Sequence, residues 1–209
     1  MLYSELQCSE AIHKAVERMG FAEMTEIQEK TIPLMLAGHD VRAKAPTGTG
    51  KTCAFGIPVV EHIQPENKYP QAVIMAPTRE LAQQIAEELT NLTYFMPEVQ
   101  VACVYGGANM EKQAKRLAEG CQIVVATPGR LMDHYKHHSI DISHVTQIVL
   151  DEADEMLNMG FYKDVRHIIE MMKARKALSM FSATISREVM DIGWLYQHNA
   201  EEITVQPRE

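Results

Sequence analysis

The chain has 209 residues, with 20 Lys and Arg against 28 Asp and Glu, a formal net charge of −8. That length suits one large domain or two small ones, and the acidic balance counts against nucleic acid gripped by a broad cationic surface, although backbone N–H groups at helix N-termini also hold phosphates. No apolar run approaches the ~20 residues that span a bilayer, residues 1–18 lack a secretory apolar core, and the 4 cysteines form no C-x-x-C pair, so a reducing cytoplasm is expected rather than a zinc site or a disulfide framework.

In chain order, the first distinctive stretch is Ala45-Pro46-Thr47-Gly48-Thr49-Gly50-Lys51-Thr52. Small residues let backbone N–H groups turn inward around phosphate oxygens, and the helix that follows favours an anion at its N-terminus. Lys51 is placed to reach the β- and γ-phosphates and the Thr52 hydroxyl to bind Mg²⁺. Pro58 falls inside that helix, so distortion is expected there. Apolar, β-branched runs then recur at 73–76, 99–104, 123–126, 147–150, 178–181 and 203–205. Most are near-continuous, as in strands covered on both faces. Helical spacing fills the intervals at 79–93, with Leu81, Ile85, Leu89 and Leu92 on one face, and at 110–119 and 163–173. The alternation predicts an α/β fold, a doubly wound, mostly parallel sheet with helices on both faces.

Asp151-Glu152-Ala153-Asp154 follows the 147–150 strand. Open α/β sheets bind ligands at the carboxyl ends of their strands. Asp151 there suits Mg²⁺, and Glu152 beside it suits polarisation of a water. His134, His137 and His138 have no ligand spacing and are expected on a solvated helix end. The methionines at 156, 159, 171 and 172 are expected to pack in the core.

These motifs resemble, in their order, the DEAD-box ATP-dependent RNA helicases, over residues 3–205. Gly20-Phe21 and Thr25-Glu26-Ile27-Gln28 match the family's adenine-recognition segment. Its phosphate loop begins with Ala, as Ala45 does. Pro77-Thr78-Arg79-Glu80-Leu81, Gly106-Gly107 and Thr127-Pro128-Gly129-Arg130 match the RNA-backbone elements, and Ser182-Ala183-Thr184 matches the element coupling ATP to RNA. The resemblance implies a P-loop, RecA-like domain over 1–209, with the adenine segment within 1–39, from a bacterial-type enzyme whose second RecA-like domain lies outside this chain. It implies ATP and Mg²⁺ as ligands. Phe21 and Gln28 would hold adenine, and residues 47–52 (Thr47, Gly48, Thr49, Gly50, Lys51, Thr52) the phosphates. Thr52 and Asp151 would hold the metal, and Glu152, Lys51 and Asp151 would act in hydrolysis. Pro77, Thr78, Arg79, Gly107, Thr127, Pro128, Gly129 and Arg130 would hold an RNA backbone with little sequence preference. Asp154 would hydrogen-bond Ser182 and Thr184 as the coupling link. The isolated domain is expected to be monomeric, to bind nucleotide and not to unwind duplexes.

Two positions depart from the family pattern. Met24 stands where Pro is usual, so a less rigid segment is expected, and Tyr3 stands where an isolated Phe is usual. A P-loop switch or kinase would share the loop and Asp151 but leave Gln28 and Thr127-Pro128-Gly129-Arg130 without a role. A non-catalytic scaffold would not need Lys51 and Glu152. A DNA helicase of the same superfamily is the nearest alternative.

Overall fold

The structure is a computed structural model and describes residues 1–48 and 50–207. Among these, seven parallel strands form one sheet: β1 (Val41–Lys44), β2 (Ala72–Met75), β3 (Val101–Val104), β4 (Ile123–Ala126), β5 (Gln147–Asp151), β6 (Ala177–Ser182) and β7 (Glu201–Thr204). Their spatial order is β3-β4-β2-β5-β6-β1-β7. Because side chains alternate across a strand, the continuous apolar runs divide between two layers. Ala72, Ile74, Ile123, Val125, Val149 and Phe181 face one; Val73, Met75, Val124, Ala126, Ile148 and Leu150 face the other.

The first layer is completed by α1 (Glu10–Arg18), α2 (Glu26–Leu36), α3 (Lys51–Glu61) and α4 (Arg79–Leu92). The second is completed by α5 (Met110–Ala118), α6 (Pro128–Lys136), the short α7 (Ala153–Met156), α8 (Tyr162–Met171) and α9 (Arg187–Tyr196). This is the doubly wound sheet the alternation predicts. Each fully buried Ile or Leu is worth about 1.5–3 kcal/mol, against about 0–1 kcal/mol for an exposed ion pair such as Lys30–Glu26. The two apolar layers therefore hold the sheet together.

Several details differ from expectation. The strand β1 has no apolar run to announce it, since Arg42 and Lys44 occupy half its length. Arg42 is buried, donating to Glu202 on β7 and to Gln197 Oε1. Pro58 does not end α3, which is assigned as one helix from Lys51 to Glu61. His134 is fully buried rather than solvated, and Met159 is exposed rather than packed. Met24 does not leave its segment loose: its side chain is buried and its N–H donates to the Met1 carbonyl at 3.0 Å, a bond proline cannot make.

The sheet order places the functional loops. The strands β5, β6 and β1 are neighbours, so the loop after β1 lies beside Asp151 at the end of β5 and Ser182 at the end of β6. The connection from β1 passes into the first layer through α3, and that from β6 into the second through α9. Such a divergence leaves a crevice at the carboxyl edge.

Candidate functional site

The phosphate-loop sequence folds as its glycines require. Gly48 and Gly50 have φ of 77° and 79°, in the left-handed region that favours glycine. Gly50 caps α3, and a Cβ there would also meet Gln28 Nε2 at 2.6 Å. Ala45 N–H donates to the Ser182 carbonyl at 2.9 Å, tying the loop to β6, and Phe55 on α3 packs against Phe181 with centroids 5.3 Å apart. Thr49 lies outside the described residues. Thr47 and Gly48 are exposed, and Thr52 is half-buried on the first turn of α3. A cavity of about 480 Å³ opens beside the loop, lined by Thr25, Ile27, Pro46, Thr47, Gly48 and Gly50 among others.

Lys51 is 6% exposed, and its Nζ lies 3.2 Å from Asp151 Oδ1. The approach lacks hydrogen-bond geometry, so the buried ammonium has an ion partner but no hydrogen bond among the described residues. Burial pushes the Asp151 carboxyl up, and Lys51 only partly counters it. Glu152 takes a left-handed backbone, φ 48°, with its N–H on Asp151 Oδ1 at 2.9 Å. Burial also raises the Glu152 carboxyl, and the charges of Asp151 and Glu155 add to the rise against Lys51.

Asp154 does meet its partners. Its Oδ2 accepts from Thr184 N–H at 3.1 Å and from the Thr184 hydroxyl at 2.8 Å. Its N–H donates to Ser182 Oγ at 3.0 Å, and that hydroxyl donates to the Thr184 carbonyl at 2.7 Å. Burial pushes the Asp154 carboxyl up, but hydrogen bonds, led by that from the Thr184 hydroxyl, outweigh it and hold the group below its ordinary value.

The adenine-segment residues divide. Gln28 is buried against the loop, its Nε2 donating to the Gly50 carbonyl at 3.0 Å. Phe21 does not line the cavity; it is 42% exposed and stacks on Tyr3 with centroids 6.1 Å apart.

The remaining elements cluster at the ends of β2, β3 and β4. Pro77 is buried, and Thr78 caps α4 by accepting from Leu81 N–H at 3.2 Å. The exposed Arg79 guanidinium lies over the Tyr105 ring, 4.6 Å from its centroid. Gly107 takes φ 82° in the exposed loop after β3. Thr127 and Pro128 are buried at the start of α6, and the half-buried Gly129 leaves room for the Phe161 ring, 3.7 Å from where a Cβ would stand. Arg130 is turned inward: its side chain is 12% exposed and donates to the Ala108 carbonyl at 3.0 Å and to Gln113 Oε1 at 3.1 Å. Gln113 also binds His134 Nε2 at 3.0 Å and, through its own Nε2, the Tyr105 carbonyl at 2.9 Å. Tyr105 and Gln113 thus join three separate sequence elements. Sequence reading missed both, and no local pattern marks them, because their partners lie on distant elements, Arg79 on α4 and Arg130 and His134 on α6.

The residues fit a bound nucleotide and its metal. The buried Lys51 ammonium without a hydrogen bond stands beside Asp151, on the helix that follows a loop whose backbone only glycine adopts readily. A hydroxyl and a carboxylate are hard oxygen donors suited to Mg²⁺, which keeps few protein ligands. No cluster of three or more His, Cys, Asp or Glu suited to a metal occurs among the described residues. A parallel sheet with this loop and acidic strand end defines a P-loop nucleotide-binding domain. The particular family follows from comparison: residues 25–192 match the DEAD/DEAH box helicase model, and the chain belongs to that family.

Among relatives, the ATP-dependent RNA helicase CshA of Limosilactobacillus reuteri is 46% identical over 100% of this chain and 42% of its own length. The ATP-dependent RNA helicase DeaD of Escherichia coli is 40% identical over 98% of this chain and 32% of its own. A solved DEAD box protein from Methanococcus jannaschii superposes with TM-score 0.91 at 39% identity, covering 99% of this chain and 56% of that one. A hypothetical ATP-dependent RNA helicase from Sulfolobus tokodaii gives TM-score 0.87 at 40% identity, covering 94% and 57%. The chain therefore spans less than half the length of these curated relatives.

Proposed function

We propose that this chain is the ATP-binding domain of an ATP-dependent RNA helicase and grips one part of an RNA backbone. The observation that carries the reading is the buried Lys51 ammonium, just after the glycine loop and 3.2 Å from Asp151. Residues 47–52 and Lys51 bind the phosphates, and Gln28 reads the adenine edge. Thr52 and Asp151 would hold Mg²⁺, which would neutralise phosphate charge when bound. Glu152 orients the attacking water and takes its proton; burial raises its carboxyl, which strengthens it as a base. Asp154 links the nucleotide side to Ser182 and Thr184.

RNA contacts fall to Pro77, Thr78, Arg79, Gly107, Thr127, Pro128 and Gly129 through backbone N–H groups, hydroxyls and the Arg79 guanidinium. The inward pairing of Arg130 supports a role in shaping the loop after β3. A second RecA-like domain, supplied by the longer protein, completes the site and the RNA groove. The cysteines at 8, 53, 103 and 121 are free, and no described helix is long and apolar enough to cross a membrane. Free cysteines suit a reducing compartment. In the full-length protein, Glu152→Gln should lower RNA-stimulated ATP hydrolysis by roughly 10²–10⁴-fold while ATP binding persists. Unchanged hydrolysis would overturn the assignment.

A further inference from the structure

The Gln28 carboxamide is fully engaged on its oxygen. Its Oε1 accepts from Thr25 N–H at 3.0 Å and from the Tyr3 hydroxyl, while Nε2 donates to the Gly50 carbonyl at 3.0 Å. Thr25 N–H can only donate and the Gly50 carbonyl can only accept, so these partners fix which end of the amide is oxygen. An amide oxygen has two lone pairs, both used here, whereas the nitrogen keeps one N–H free. Gln28 is 3% exposed and does not line the cavity beside the loop.

Adenine offers a ring acceptor beside an amino donor. The free N–H serves the acceptor, but the amino group needs a lone pair on Oε1. Thr25 N–H is held in the capping box of α2, so the hydroxyl is the donor that must yield. We propose that Tyr3 is a specificity-determining residue of the nucleotide site, its hydroxyl competing with the adenine amino group for the Gln28 oxygen. The proposal rests on the reading that Gln28 recognises adenine.

Once displaced, the phenol is stranded. Tyr3 is 5% exposed, and its hydroxyl has no other hydrogen-bond partner among the described residues. A buried polar group that loses its partner forfeits more than an exposed one. Phenylalanine fills the same space, keeps the stack on Phe21 and has no hydroxyl to strand. Guanine carries a carbonyl where adenine carries its amino group, so it makes no demand on the Oε1 lone pair. The hydroxyl therefore weakens ADP binding and leaves GDP binding alone.

Calorimetric titration of this chain with ADP and with GDP, each with Mg²⁺, tests this in wild type, Tyr3→Phe and Gln28→Ala. Tyr3→Phe should bind ADP roughly three- to tenfold more tightly, with GDP unchanged. Gln28→Ala should abolish the preference for ADP. If wild type selects ADP through Gln28 but Tyr3→Phe leaves ADP affinity unchanged or weaker, the Tyr3 assignment is overturned and the adenine reading stands. A parallel shift for both nucleotides would reduce Tyr3 to a packing role and also overturn it. Equal binding of ADP and GDP by wild type would overturn both readings together.

Discussion

Glu152 carries the most unusual backbone at the site. A non-glycine residue at φ 48° costs about 1–2 kcal/mol, and such strain persists where the surroundings fix it, often at functional sites. Its N–H is tied to Asp151 Oδ1, and the residue follows β5 and caps α7. Glu152→Gly should therefore raise stability by about 1 kcal/mol while removing the base. Urea unfolding measures this; a fall in stability would show that the backbone is not strained.

Asp154 gives a pH dependence with a definite sign. Its folded carboxyl lies below the ordinary value, so it adds stability above that value, about 3.9, and loses it as pH falls further. Asp154→Asn should cost about 1 kcal/mol at neutral pH, and the gap from wild type should close below pH ~3.9. A gap independent of pH in urea titrations would contradict this. Asp151 works in the opposite sense: its carboxyl is raised, so the stability it adds at low pH is lost as pH rises through its folded value.

At the scale of elements, the phosphate loop and acidic strand end were legible because their chemistry is local. Glycine at 48 and 50 is needed by the backbone, and an acid after an apolar run marks a strand's carboxyl end. What was not legible depends on distant partners. The strand β1 is built from Val41-Arg42-Ala43-Lys44, and only β7 reveals why a cation sits inside the sheet, since Glu202 pairs with Arg42. His134 looked solvated because its neighbours are polar, yet α6 turns it onto Gln113. The Tyr3 hydroxyl finds its partner, Gln28, 25 positions away in sequence.

Two substitutions probe these joints. Gly50→Ala forces a Cβ into Gln28 and into a left-handed backbone, which should cost about 1–3 kcal/mol and weaken ADP binding. Normal ADP affinity would mean the loop relaxes freely. Gln113→Ala strips a partner from Arg130, His134 and the Tyr105 carbonyl, at about 1–3 kcal/mol. In the full-length protein it should weaken RNA binding while ADP affinity stays unchanged. Loss of ADP affinity as well would show general damage.

For the whole molecule, one edge of the sheet is divided by strand order. The neighbours β5, β6 and β1 end in the residues proposed to hold nucleotide, and β2, β4 and β3 end in the elements proposed to hold RNA. Since β2 pairs with β5, the two groups meet at the centre of the sheet. A net charge of −8 suits recognition by a few placed donors rather than a cationic field.

We propose that this edge lets nucleotide state control the grip on RNA through Asp154, Ser182 and Thr184. The direct test is the affinity of the full-length protein for single-stranded RNA with a non-hydrolysable ATP analogue and with ADP. Coupling of this kind is typically about 5–150-fold; wild type should bind RNA at least about tenfold more tightly with the analogue, and Asp154→Ala should abolish most of that difference. Equal RNA affinity in the two nucleotide states would contradict the account.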